Sequence, residues 1–180
     1  MNLNKPVKNL ESDRLLLRFV DLNDAKDFYV FCSKDNVTKY LTFDPYKHIF
    51  QARRAITNMI RSYLAEKCIN YSIVLKNTNK VIGSISITQV DNHSAEIGYL
   101  LDDDYWNLGY MSEALKLIVE ASFNYYDIDI LIGKYIKENI SSEKVLLKNG
   151  FKLISVLRNG FIKNNKSYDL FVTKLESHVI

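Results

Sequence analysis

A chain of 180 residues, 47% hydrophobic and 25% charged, has the composition of a globular protein, and its length suits one domain over residues 1–180. Twenty-four basic against 21 acidic residues leave a formal charge of only +3, with no long basic run, which argues against a nucleic-acid partner. No segment has the length of a membrane span and the opening MNLNKPVKNLESDR has no apolar leader core, so no membrane partner and a cytoplasmic location are expected. Cys32 and Cys68 stand far apart without metal or redox spacing, and His48, His93 and His178 lack partners at ligand spacing, so no metal site is expected.

Residues 14–20 are mostly apolar and predict a first strand, followed by a turn and cap at 21–23 and a helix from Asp24 to about Cys32. After an irregular stretch from Ser33 through Pro45, Ile49, Ala52, Ile56, Met59, Ile60 and Tyr63 recur at helical spacing and predict a second helix. β-Branched residues dominate 70–76 and 80–90, with Asn77, Thr78 and Asn79 as a hairpin connection. A turn at 91–93 leads to a strand from Ala95 to about Leu101, completing an antiparallel meander of three. In the helix after that strand, Met111, Ala114, Ile118, Ala121 and Tyr125 share one face, and Glu113, Lys116 and Glu120 another. The apolar run 128–136 predicts a buried strand, parallel to its neighbour because a helix makes the crossover. Asn139 to Ser142 open a short helix ending at Asn149 and Gly150, and strands 151–162 and 166–175 close the chain around the turn at 163–165.

The stretch EIGYLLDDDYWNLGYMSEAL, residues 96–115, runs from strand to helix through a loop carrying Gly109. The first N–H groups of a helix have no partner within it, so those of Asn107, Leu108, Gly109, Tyr110, Met111 and Ser112 form a candidate phosphate cradle. Glycine allows close backbone approach and a positive φ. The same stretch also reads as an ordinary strand-to-helix turn.

Together these elements resemble the GCN5-related N-acetyltransferase (GNAT) family, in particular the branch typified by ribosomal-protein N-terminal acetyltransferases. The likeness rests on Tyr105-Trp106-x-x-Gly109-Tyr110-x-x-Glu113-Ala114-Leu115, on Asn139-x-x-Ser142, on Lys148-Asn149-Gly150-Phe151, on Ser12, Arg14 and Leu15 to Leu17, and on Tyr168-Asp169. It covers nearly the whole chain. It implies an α/β (α+β) fold: a central mixed, mostly antiparallel twisted sheet of about seven strands with helices on both faces. Three positions depart from the wider family: Trp106 and Met111 flank the glycine loop, and Leu146 stands where the family carries a tyrosine acid.

By that resemblance the cofactor is acetyl-CoA and the reaction is direct acetyl transfer to a primary amine. An alkyl ammonium has a pKa of about 10, so a base must take its proton. Glu96, in an Ala-Glu-Ile context, matches the carboxylate some family members use, and otherwise reads as a surface or structural glutamate. The family's oxyanion amide maps to the region of Leu100 and Leu101, on a strand whose bulge opens the sheet for the pantetheine arm. Asn139 matches the asparagine that bonds that arm, and Ser142 is placed to assist departure of the sulfur; either residue could instead only cap the helix. In this fold the loop at 34–46 and the last hairpin border the acceptor, making Asp35, Asp44, Tyr168 and Asp169 candidate contacts. The acceptor could be a peptide N-terminus, a polyamine or an aminoglycoside, and the protein a monomer or homodimer. An acyl-CoA-binding module of the same fold with weak or no transfer is the alternative, as is another acyl donor or a hydroxyl acceptor.

Overall fold

The computed structural model describes residues 7–177; residues 1–6 of the opening segment and His178 lie outside the described residues. The strands are β1 Asn9–Glu11, β2 Leu15–Phe19, β3 Cys68–Leu75, β4 Lys80–Gln89, β5 Ser94–Leu101, β6 Ile130–Ile136, β7 Lys152–Lys163 and β8 Lys166–Glu176. The helices are α1 Ala25–Cys32, α2 Asp35–Thr38, α3 Ile49–Leu64, α4 Tyr110–Tyr125 and α5 Ile140–Lys148.

The strands form one sheet in the order β1-β2-β3-β4-β5-β6-β8-β7. Among the described strands only β5 and β6 pair in parallel, as their helical crossover through α4 requires. Side chains alternate between two cores because the strand period is two. Leu15 and Leu17 enter the layer beneath α4 with Ile69, Tyr71, Ile85, Ala95 and Ile97. Leu16, Val74 and Leu100 face the opposite layer, filled by Phe28 and Phe31 of α1 and Ala52 and Ile56 of α3. Helices therefore cover both faces, as the resemblance implies.

Two details differ from the sequence reading. An eighth strand, β1, pairs Leu10 with Leu17; at three residues it is too short to show a period. The stretch read as irregular after Ser33 contains the single turn of α2.

The feature that makes room for a site is the early end of the β5–β6 ladder. Its last pair is Ile97 with Gly133, although β5 runs on to Leu101 and β6 to Ile136. Beyond that pair β6 stays with β8, through Ile136 and Leu170, while β5 stays with β4, through Leu101 and Gly83. The resemblance implied a bulge in β5 as the cause. The β4–β5 register is instead unbroken, and the irregularity lies one strand away, between Ile73 and Val74 in the β3–β4 pair.

Candidate active site

A cleft of about 490 Å³ occupies the gap where β5 and β6 part. Tyr99, Leu100 and Leu101 form its floor, the loop at 106–112 one end, Asn139 and Ser142 of α5 a wall, and Val37, Tyr40 and Leu41 the far end.

The loop end is built for an anion. Asn107 (φ 60°) and Gly109 (φ 81°) both adopt left-handed backbone, which turns the chain sharply into α4. A Cβ on Gly109 would meet only the Arg14 guanidinium, at 3.5 Å, so the positive φ and not crowding selects glycine here. No side chain caps α4, whose ladder begins with Glu113 N–H donating to Gly109 O at 3.0 Å. The amides of Tyr110, Met111 and Ser112 are thus left at the cleft with the positive end of a 16-residue helix behind them. Leu108 is half exposed and is not among the residues lining the cleft.

Arg14, noted in the sequence only as part of the opening strand, holds this loop. Its Nε and Nη2 donate to Glu113 Oε2, its Nη1 donates to Leu108 O at 3.1 Å, and its Cζ stands 4.3 Å over the Tyr110 ring. Ser12 Oγ donates to Glu113 Oε1 at 2.6 Å. Trp106 is also structural: its indole N–H donates to Leu101 O at 2.9 Å and pins the end of β5.

Of the two leucines assigned to the oxyanion, geometry separates one from the other. Asp102 N–H donates to Ile82 O at 2.8 Å, and the antiparallel ladder alternates, so the Leu100 N–H also turns toward β4. The N–H groups of Tyr99 and Leu101 turn to the open side.

Asn139 caps α5, its Oδ1 accepting from Ser142 N–H at 3.2 Å, while its amide NH₂ stays at the cleft wall. Ser142 is 9% exposed, and its Oγ lies 2.9 Å from Tyr99 Oη. Burial raises the Tyr99 phenol to about 12, against the opposing pull of its bond to Ser142. The sequence does not single out Tyr99, because its spacing from Ser142 carries no signal. Leu146 is fully buried and fits against Gly133, where a Cβ would collide with it, so that position belongs to the core.

Glu96 stands apart. It is not among the cleft's lining residues, and its Oε2 accepts from Lys134 Nζ at 2.6 Å. It shares a face of β5 with Leu100, four residues and about 13 Å along the strand.

At the far end the candidate acceptor residues are partly engaged already. Asp169 accepts from Arg158 and from Asn159 N–H at 3.1 Å, and the Asn159 and Arg158 bonds hold its carboxyl below the usual range. Tyr168 packs edge-on against Tyr40, ring centres 6.5 Å apart, and Asp35 and Asp44 are exposed. Lys163 Nζ spans from the last hairpin to the α2–α3 loop and donates to Thr38 O, Leu41 O and Phe43 O at 2.7, 3.0 and 2.8 Å. Asp102, Asp103 and Asp104 lie together, but Lys34 Nζ sits among them at 2.5, 2.7 and 3.0 Å and takes the place a cation would fill.

Comparison with known proteins bears on the family and the fold. The family model described as an acetyltransferase (GNAT) domain matches residues 14–152. An uncharacterized N-acetyltransferase p20 of Bacillus licheniformis is 30% identical over 171 residues, 94% of this chain and 96% of that one. The microcin C7 self-immunity acetyltransferase MccE, solved with acetyl-CoA and AMP, has a TM-score of 0.85 at 24% identity, covering 92% of this chain and 93% of its own. RimL, a ribosomal L7/L12 α-N-protein acetyltransferase solved with coenzyme A, has a TM-score of 0.86 at 21% identity, covering 93% and 97%. At those identities the two solved structures establish likeness of fold.

Proposed function

Because the chain belongs to the GNAT family of acetyltransferases, we propose that it moves an acetyl group from acetyl-CoA directly to a primary amine. The observation that carries this reading is the uncapped start of α4 opening into the same cleft that the parting of β5 and β6 creates. Acetyl-CoA and coenzyme A in two similar structures support the donor.

Bound acetyl-CoA supplies the acetyl group as an activated thioester. The amides from Asn107 to Ser112 bind its pyrophosphate, and the free NH₂ of Asn139 bonds the pantetheine arm. The Leu101 N–H, fixed by the β4–β5 ladder and the Trp106 bond, donates to the oxyanion as charge develops. Ser142 gives a proton to the departing sulfur. Glu96 lies too far along β5 for direct contact at Leu101, so it accepts the amine's proton through water.

The acceptor enters from the end formed by α2, the α2–α3 loop and the last hairpin, and is a peptide N-terminus, a polyamine or an aminoglycoside. The test is amine-dependent release of free CoA thiol across those three classes, with product mass by spectrometry. Release with at least one class, and a gain in product mass of one acetyl group, is expected; Glu96→Gln should slow it, and unchanged kinetics remove Glu96 from its role. Burial of Leu146 where the family has its acid favours one rival, a CoA-binding module without transfer. Calorimetric CoA binding with no product from any amine would establish that rival.

A further inference from the structure

The helix position that carries an acid elsewhere in the family is core here, yet a phenol reaches the same wall of the cleft from β5. Tyr99 Oη approaches Ser142 twice, 2.9 Å from Oγ and 3.2 Å from the backbone O. The phenolic hydrogen has two acceptors in reach, the Ser142 carbonyl and Oγ; the contact with Oγ is the shorter and the carbonyl keeps its helical partner, so the hydrogen is placed on Oγ. A hydroxyl that accepts one hydrogen bond directs its own hydrogen elsewhere, and the open direction for Ser142 is the cleft.

From this geometry we infer that Tyr99 is a positioning residue for proton delivery: it donates to Ser142 Oγ and so aims the Ser142 hydrogen at the leaving sulfur. This rests on the reading of the cleft as the acetyl-CoA site. As the amine nitrogen bonds to the acetyl carbon, the C–S bond breaks and its electron pair goes to sulfur. The Ser142 proton passes to sulfur, the Tyr99 proton passes to Oγ, and the phenolate regains a proton through cleft water as Glu96 gives up the one it took from the amine. Both hydroxyls end as they began. Burial raises the phenol to about 12, which keeps it protonated and able to donate at neutral pH.

The test compares Tyr99→Phe, Ser142→Ala and the double variant with the natural protein. The first readout is titration of the thiol of bound CoA, monitored by ultraviolet absorbance of the thiolate. A hydroxyl aimed at sulfur stabilises the thiolate, so the natural protein should ionise the thiol about one pH unit lower than either single variant. Thermal midpoint should hold and calorimetric CoA affinity should stay within about twofold, since Tyr99→Phe keeps the ring. In turnover, each single variant should lose about tenfold or more in kcat with little change in KM, and the double should lose no more than the worse single. Equal thiol titration in the natural protein and Tyr99→Phe, or additive losses, would overturn the inference while leaving acetyl-CoA binding intact. Absence of CoA binding by the natural protein would overturn both.

Discussion

Gly109 gives the loop before α4 its turn, but Arg14 gives it its shape. Glu113 lies in the first turn of α4, where a carboxylate suits the helix dipole and opposes an arriving phosphate. Burial pushes the Glu113 carboxyl up, and bonds from Arg14 and Ser12 outweigh that and keep it below the usual range. On the proposed reading, Arg14 therefore neutralises a charge that would otherwise repel the donor's pyrophosphate. Arg14→Ala should raise the dissociation constant of CoA about tenfold, the 1.4 kcal/mol of one lost charge-assisted bond. Adding Glu113→Ala should recover part of the loss, because the unpaired carboxylate goes with it. Calorimetry on the single and double variants checks this; a double variant as weak as the single contradicts it. Neither this contact nor that of Tyr99 with Ser142 was legible in the sequence: their partners lie 99 and 43 residues apart, and only the sheet brings them together.

At the scale of elements, legibility followed length. The meander β3–β5, the crossover through α4 and the parallel β6 could be read because each carries a full period of apolar side chains. The three residues of β1 and the four of α2 carry none. The opening of the sheet was expected, but its cause was not, since ladder termination depends on which neighbour β6 pairs with and no local pattern encodes that. The far end of the cleft was the least legible part, because one lysine organises it through main-chain oxygens, which have no sequence identity. The Lys163 side chain is 12% exposed and holds the carbonyls of Thr38, at the end of α2, and of Leu41 and Phe43 in the loop after it. Lys163→Met keeps the stem and removes the donor, so those carbonyls lose their shared partner at a cost of about 2 kcal/mol. Hydrogen exchange should quicken over residues 38–46 while β3 to β5 stay protected, and the KM for the amine should change more than that for acetyl-CoA. Unaltered exchange in the loop would show that Lys163 does not hold it.

For the whole molecule, the same ion pairs that join separate elements set its response to pH. Asp24, at the start of α1, is buried; it takes two bonds from Arg18 of β2, at 2.9 and 2.6 Å, and one from Ser72 of β3 at 2.6 Å. Burial raises its pKa, but these bonds prevail and leave it lowered. Asp103, paired with Lys34, and Glu113, paired with Arg14, are lowered in the same way. A carboxyl depressed by folding contributes its full stability above its unfolded pKa, about 4 for these groups, and loses it as pH falls through the folded value. On the alkaline side, burial and the Tyr126 contact raise the Tyr71 phenol, and the three aspartates raise Lys34 against its own desolvation. Groups raised by folding stabilise below their unfolded pKa, about 10 here, and lose that contribution as pH climbs through the folded value. Burial also raises the Cys32 and Cys68 thiols, whose unfolded value is about 8.5, so the urea midpoint should be level from about pH 5 to about pH 8 and fall on both sides. Asp24→Asn separates this from general charge repulsion. It takes the carboxylate from the Arg18 guanidinium, which keeps Phe19 O, and this should cost about 2 kcal/mol at neutral pH; it also removes a titrating group, so the acid limb should become shallower. An acid limb of unchanged steepness in that variant would place the pH dependence elsewhere than in the joint between β2, α1 and β3.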